Sequence, residues 1–440
     1  MKHRPFKLRR LHPAKNRGLT PPARLARRAF TLVELLIVIV IIGMLAALIT
    51  AAAARAVGTA KRTQITLDLD QFETAFQSYR NDTSGNFPPD LSYPPQGYGG
   101  YLMRQNRIMQ HLRKAYPRTL ILGYGVANGP SPNSLQWLTQ NWFASYITWF
   151  NAHSTLTAFP PKSPSGDVWG NVDNLDPGEA MVFWLGGMPI PTDPVNNGTG
   201  KWLYKMQGFS ANKQTPFGFG VIYANPPTNT IPMPTFPNDA RSPGPYEFAP
   251  ARLGDADGDG WPEYYPPGAA VPQPPNSPYQ VGNPVPPYVY FDAASYDSFL
   301  VYDSTNTNGV PTYPSPYPMN AAGLNNGPST TMTLQPTGYL NQWGLAVPYA
   351  ATILKTGNTT GNVTWVNDKK FQVISAGLDA MYASIAAGTT TRNNFPLFPT
   401  PQQLPALPGT FTLDVNDAVI GEPDNLTNFF SGTLFDGSQP

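Results

Sequence analysis

In this 440-residue sequence the residues best suited to chemistry stand between positions 255 and 263: Asp255-Ala256-Asp257-Gly258-Asp259-Gly260-Trp261-Pro262-Glu263. Carboxylates at the first, third and fifth places with Gly at the sixth match the first half of a calcium loop. Each carboxylate offers hard oxygen ligands, and the Gly permits a sharp turn. The Trp261 carbonyl falls at the seventh place and Glu263 at the ninth, but the bidentate Glu expected at the twelfth is replaced by Pro266. No Lys or Arg stands between Arg252 and Lys355. Four neighbouring carboxylates repel one another, so calcium held by Asp255, Asp257, Asp259 and Glu263 is the economical reading. The alternative is a solvated acidic turn. A bound ion here is expected to stabilise the fold rather than to catalyse.

Other chemistries are poorly supplied. There is no cysteine, which excludes a disulfide framework, Cys-based zinc sites, iron–sulfur clusters and a thiol nucleophile. Beyond position 29 only His111 and His153 remain, neither with a second ligand at metal-binding spacing. No Gly-x-Ser-x-Gly, phosphate loop or dinucleotide fingerprint occurs. Paired carboxylates for glycoside chemistry stay open, because their spacing is three-dimensional. The net charge of +2 conceals an asymmetry: residues 1–29 hold ten Lys/Arg and no acid, leaving 19 basic against 27 acidic residues beyond them. A body with that surplus of acid is not expected to bind nucleic acid.

Position 34 is the second chemical oddity. Residues 35–54, LLIVIVIIGMLAALITAAAA, carry no charge and span ~30 Å as a helix, the thickness of a bilayer core. The basic flank before them stays cytoplasmic under the positive-inside rule. Glu34 sits at the mouth of this run, where a carboxylate facing lipid costs several kcal/mol without a partner. The alternative is a plain signal anchor.

The segment Ala29-Phe30-Thr31-Leu32-Val33-Glu34-Leu35-Leu36 closely resembles the class III signal of type IV pilins and type II secretion pseudopilins. The resemblance implies cleavage between Ala29 and Phe30 by a prepilin peptidase and N-methylation of Phe30. It also implies assembly with other pilin or pseudopilin subunits on an inner-membrane platform. Glu34 would pair with the Phe30 amine of a neighbour, neutralising two charges within an apolar filament core. Ala29 stands where the family usually has Gly, and the 29-residue leader is long for pseudopilins.

These residues need elements to position them. No proline occurs from residue 23 to 87, which permits one helix over about residues 30–79. Ile65, Leu69, Phe72, Phe76 and Tyr79 recur at helical spacing, predicting a stripe against a globular head with Lys61, Asp68, Glu73 and Arg80 near solvent. Residues 81–86 then break the helix. The remainder, 88–440, holds 47 of the 51 prolines. Within it, residues 104–116 read as a basic helix and 135–150 as a Trp-rich one. Asp176-Pro177-Gly178-Glu179 caps a short helix ending at Gly186-Gly187. Strands are expected at 202–206, 288–291 and 371–375. The Pro/Gly/Asn-rich stretches near 225–245, 266–287 and 303–340 read as long loops.

A second resemblance lies near the end. Phe371-Gln372-Val373-Ile374-Ser375-Ala376-Gly377-Leu378-Asp379 is similar to the strand and Ser-x-Gly-x-Asp loop of major pseudopilins, in which an Asp-rich segment completes a calcium site. Glu422-Pro423-Asp424-Asn425 resembles that segment, which makes Asp379, Asp424 and Asn425 a weaker calcium set.

The expectation is an α+β, pilin-like protein: a cleaved basic leader (1–29), a long N-terminal helix (30–82, spanning the membrane at about 35–54) and an extracytoplasmic head (88–440). The helix packs on an antiparallel sheet interrupted by large Pro/Gly-rich loops. The resemblance implies a non-enzymatic, structural subunit of a type II secretion pseudopilus or type IV pilus-like filament, and a head of ~350 residues, large for close packing along a filament, favours a minor one. It is set in the bacterial inner membrane with its head periplasmic or extracellular. A surface adhesin or glycan-binding protein on the same anchor is the alternative, and a membrane-tethered hydrolase the third.

Overall fold

Helix α1 (Leu32–Asp82) runs without interruption through the proline-free stretch. It stops where the Gly85 amide returns to the Arg80 carbonyl at 2.8 Å and the Thr83 amide to that of Tyr79 at 2.9 Å. Gly85 sits at φ 84°, the left-handed backbone that a helix end of this kind requires. The computed structural model describes residues 32–83, 85–90, 100–117, 175–192, 198–211, 241–256, 260–274, 285–299, 348–353, 363–378 and 425–433. The chain divides into two units, residues 1–57 and 58–440.

In the first unit the described side chains from 32 to 50 are all exposed, including Leu35, Ile37, Ile41 and Leu45. This part of α1 is long and apolar enough to cross a membrane. In the second unit the predicted stripe is buried: Ile65, Leu69, Phe72, Phe76 and Tyr79 all lie in the core. Phe76 stacks on Tyr290 at 4.3 Å and leans on Phe371 at 4.7 Å, while Phe72 meets Tyr288 edge-on.

Tyr290 and Phe371 belong to the largest sheet. Its strands are β7 (Val289–Asp292), β10 (Phe371–Ser375), β11 (Leu426–Thr427) and β12 (Phe430–Thr433), in the order β12-β11-β10-β7 and antiparallel throughout. β10 is buried along its whole length because α1 covers one face and the hairpin of β8 (Ala350–Ile353) and β9 (Val363–Trp365) is stitched beside it. The stitch is Gln372: its amide nitrogen donates to the Tyr349 and Val366 carbonyls and its oxygen accepts from the Tyr349 amide. A buried amide is tolerated when bonded in this way.

Helix α2 (Gly100–Ala115) places His111 beside α1, its Nε2 2.8 Å from the Tyr79 hydroxyl. Helix α3 (Pro177–Gly186) is wholly buried. Beyond its C-terminal end, where Gly187 bridges to Gly208, come two antiparallel pairs of short strands, β1 (Pro189–Thr192) with β2 (Leu203–Met206) and β3 (Phe209–Ser210) with β4 (Arg241–Ser242). A further antiparallel pair is β5 (Leu253–Gly254) with β6 (Glu263–Tyr264). Long N-terminal helix and small antiparallel sheets make an α+β architecture. The expected Trp-rich helix at 135–150 lies outside the described residues.

One expectation fails. Asp68 is not near solvent but buried, gripped by Arg252 Nη1 at 3.2 Å and Nη2 at 2.5 Å and by the Tyr288 hydroxyl at 2.7 Å. The Arg252 guanidinium also lies over the Tyr264 ring, 4.2 Å from its centre. A forked guanidinium supplies two parallel donors to one carboxylate, which offsets the cost of burying both charges.

Candidate functional site

The calcium-like motif is the loop of a hairpin. Leu253 pairs with Tyr264 and Gly254 with Glu263, so the two ends of the motif are brought together by β5 and β6. Asp255 is fully buried, and its Oδ2 accepts from the Tyr204 hydroxyl at 2.8 Å and the Gly260 amide at 3.2 Å. The bond from Gly260 closes the loop from its sixth place to its first. Gly260 has φ 98°, a conformation that a side chain would strain. Asp257 and Asp259 lie outside the described residues.

Glu263, at the other end, is buried on β6, and its Oε2 accepts from the Ala256 amide at 3.3 Å. It does not face the loop alone. Helix α3 begins beside it with a reciprocal cap: Asp176 Oδ1 accepts from the Gly178 and Glu179 amides at 2.7 and 2.8 Å. Glu179 Oε2 accepts from the Asp176 amide at 2.8 Å. Pro177 follows the cap at the first helical position, where a missing amide costs nothing. Carboxylate oxygens of Asp176, Glu179 and Glu263 all lie within 4.8 Å of one another. Glu179 and Glu263 are buried and Asp176 is partly so.

Tyr265, two residues beyond Glu263, is fully buried within electrostatic reach of Glu263 and Asp176. Burial first, then the charges of Glu263 and Asp176, push its hydroxyl well above the ordinary tyrosine value, so it is a neutral phenol. That hydroxyl is near Glu263 but meets no described group with the distance and angle of a formed hydrogen bond. The motif at 255–263 gave Asp255 and Glu263 as site residues and missed Asp176, Glu179 and Tyr265. Asp-Pro-Gly-Glu carries a cap signal, and nothing local to it announces a second carboxylate partner.

At the sheet end, Asn425 is buried just before β11, and its amide nitrogen donates to the Tyr349 hydroxyl at 3.0 Å. Asp379 and Asp424 lie outside the described residues, as do Ala29 and Phe30. Glu34 stands in the first turn of α1, where the helix dipole favours a negative charge.

A separate buried acidic pair, Asp90 and Asp292, lies where Arg107 of α2 meets β7. Asp90 Oδ2 accepts from the Asp292 amide at 3.1 Å and from the Ser295 hydroxyl, while Asp292 Oδ2 is met by Arg107 at 3.0 Å. Burial and then Asp90 push the Asp292 carboxyl up to about 7 against the pull of Arg107. His111 moves the other way: burial and then Lys114 lower it to about 3.

Residues 24–50 match the family described as prokaryotic N-terminal methylation motif. No curated protein and no solved structure matches the chain. The matched segment runs through Ala29, Phe30 and Glu34 into the exposed apolar part of α1, where a membrane anchor belongs. That segment carries the N-terminal methylation motif of the kind that type IV pilin-like and pseudopilin-type proteins bear.

Proposed function

We propose that this protein is a structural subunit, of the minor kind, in a type II secretion pseudopilus or type IV pilus-like filament. The observation that carries the reading is the methylation motif at residues 24–50 leading directly into an exposed apolar helix. Prepilin peptidase cuts between Ala29 and Phe30, the new amine is methylated, and residues 1–29 remain on the cytoplasmic side. Residues 30–54 hold the subunit in the inner membrane until the assembly platform passes it to neighbouring subunits. Helix-on-helix packing of the apolar stretch then supplies the cohesion. The head, on the far side of the membrane, is large for close packing along a filament, which favours an occasional rather than a repeating subunit.

Intact mass and N-terminal sequencing of membrane-extracted protein test the processing step. The expected mature chain begins at N-methylated Phe30, and Ala29→Asp leaves the precursor uncut by putting a charge where the peptidase takes a small residue. A chain that retains residues 1–29 in the assembled fraction contradicts the reading. Absence from sheared filaments, with glycan binding by the protein, would point instead to an adhesin on the same anchor.

A further inference from the structure

We propose that Asp176, Glu179 and Glu263 together bind one calcium ion, a site that clamps the start of α3 to the β5–β6 hairpin. The geometry suits a single ion of this size. Calcium–oxygen bonds of ~2.3–2.6 Å allow ligand oxygens across one ion to stand up to about 5 Å apart. The three carboxylates fall inside that span, within 4.8 Å of one another. Magnesium, at ~2.0–2.1 Å and near-ideal octahedral geometry, asks for a tighter set.

The second observation is the Tyr265 hydroxyl. It is fully buried and has no hydrogen bond of good geometry among the described residues. The carboxylates that bear on it are Glu263, which is also within bonding reach of the hydroxyl though not at the geometry of a formed hydrogen bond, and Asp176, followed by Asp255. A buried hydroxyl without a bond costs about 1–3 kcal/mol, and such a group in a native fold calls for an ion or ordered water beside it. Calcium takes six to eight oxygens, so three carboxylates leave places for a neutral phenol oxygen or for water bonded to it. Asp255 is occupied differently: it receives Tyr204 and Gly260 and shapes the loop. The ion is assigned to the cap of α3, and Glu263 is the residue that this set shares with the 255–263 motif.

The role is structural. The first turn of a buried helix and a hairpin far along the chain are tied through one ion, beneath the face of α1 that packs on Tyr264 and Tyr288. A chelator should therefore loosen the head without touching the membrane helix.

The test uses the full chain in detergent, stripped with a chelator and titrated separately with calcium and magnesium chloride. Calorimetry should find one calcium per chain, and the melting temperature of the head should rise by several degrees as the ion binds the folded state only. Glu179→Gln and Asp176→Asn keep the reciprocal cap while removing a charge. Each should weaken calcium at least about tenfold, by analogy with the loss from disturbing metal-site partners. Their ion-free melting temperature should stay near that of the unmodified chain. Glu263→Gln should do the same. Asp257→Ala should leave the calcium response largely intact. Absence of calcium binding overturns the proposal. So does a response that survives both Glu179→Gln and Asp176→Asn, or one that Asp257→Ala abolishes while Glu179→Gln spares it.

Discussion

Asp292 and His111 are buried titratable groups displaced in opposite directions, and the consequence is a masked pH dependence. For Asp292, pushed up to about 7, the folded chain holds a proton that the unfolded chain has already lost above about pH 4. Its contribution is therefore fully present below pH ~4 and is lost as pH rises towards 7. His111, lowered to about 3, behaves in reverse: the unfolded chain takes up a proton below about pH 6.5 that the folded chain refuses. That contribution is present above pH ~6.5 and is lost as pH falls towards 3. Between pH 4.5 and 6.5 the two slopes oppose. We expect Asp292→Asn to make stability rise more steeply with pH over this window, and His111→Gln to make it fall. Denaturant midpoints at pH 4.5, 5.5 and 6.5 check the signs. Parallel curves for both variants and the unmodified chain would show that neither group titrates in the folded head as its burial implies.

Among the elements, the crossing of α3 with its neighbouring strands is the least forgiving. Gly187 ends α3 at φ 83°, and a Cβ there would lie 2.2 Å from the Gly208 carbonyl carbon. Gly208, at φ 72°, has the Ser242 carbonyl oxygen 1.9 Å from where its own Cβ would stand. Left-handed backbone and backbone overlap coincide at both positions. Gly208→Ala should cost more than about 3 kcal/mol, read as a lowered denaturant midpoint. A cost below about 1 kcal/mol would mean that the strands can separate cheaply here. Such contacts explain which elements the sequence made legible. The length of α1, its stripe from Ile65 to Tyr79, the Asp176 cap and strand β10 are all written in local spacing, and local spacing decides them. Asp68 reads as solvent-facing because the helical pattern records polarity but not the guanidinium of Arg252, which arrives from 184 residues away. Asp176 and Glu179 declare a helix start. Their meeting with Glu263 depends on how α3 and the β5–β6 hairpin pack, and no spacing rule contains that. The short strands β3 to β6, two residues each, are too brief to show alternation at all.

At the scale of the whole molecule, one sequence serves two solvents. The N-terminal part of α1 carries an unbroken apolar surface suited to lipid or to other helices, and the part beyond residue 58 buries a single stripe against a tyrosine- and tryptophan-rich head. Insertion and assembly ask different things of that helix. Residues 35–54 are long and apolar enough to insert whatever stands at position 34, so Glu34→Ala should still reach the membrane, and more readily than the unmodified chain. Under the proposed function, assembly is where the carboxylate is expected to be required, as the partner of the Phe30 amine on an adjacent subunit. Removing one member of a buried charge pair costs about 3–5 kcal/mol, enough to lower equilibrium incorporation by two or more orders of magnitude. Glu34→Asp, one methylene short, should fall between. The most direct measurement expresses Glu34→Ala beside the unmodified chain and quantifies both in the membrane and in sheared filaments. The account predicts equal membrane content and a filament fraction depleted at least about a hundredfold in the variant. Equal incorporation of the two chains would contradict it and return the helix to the role of a plain anchor.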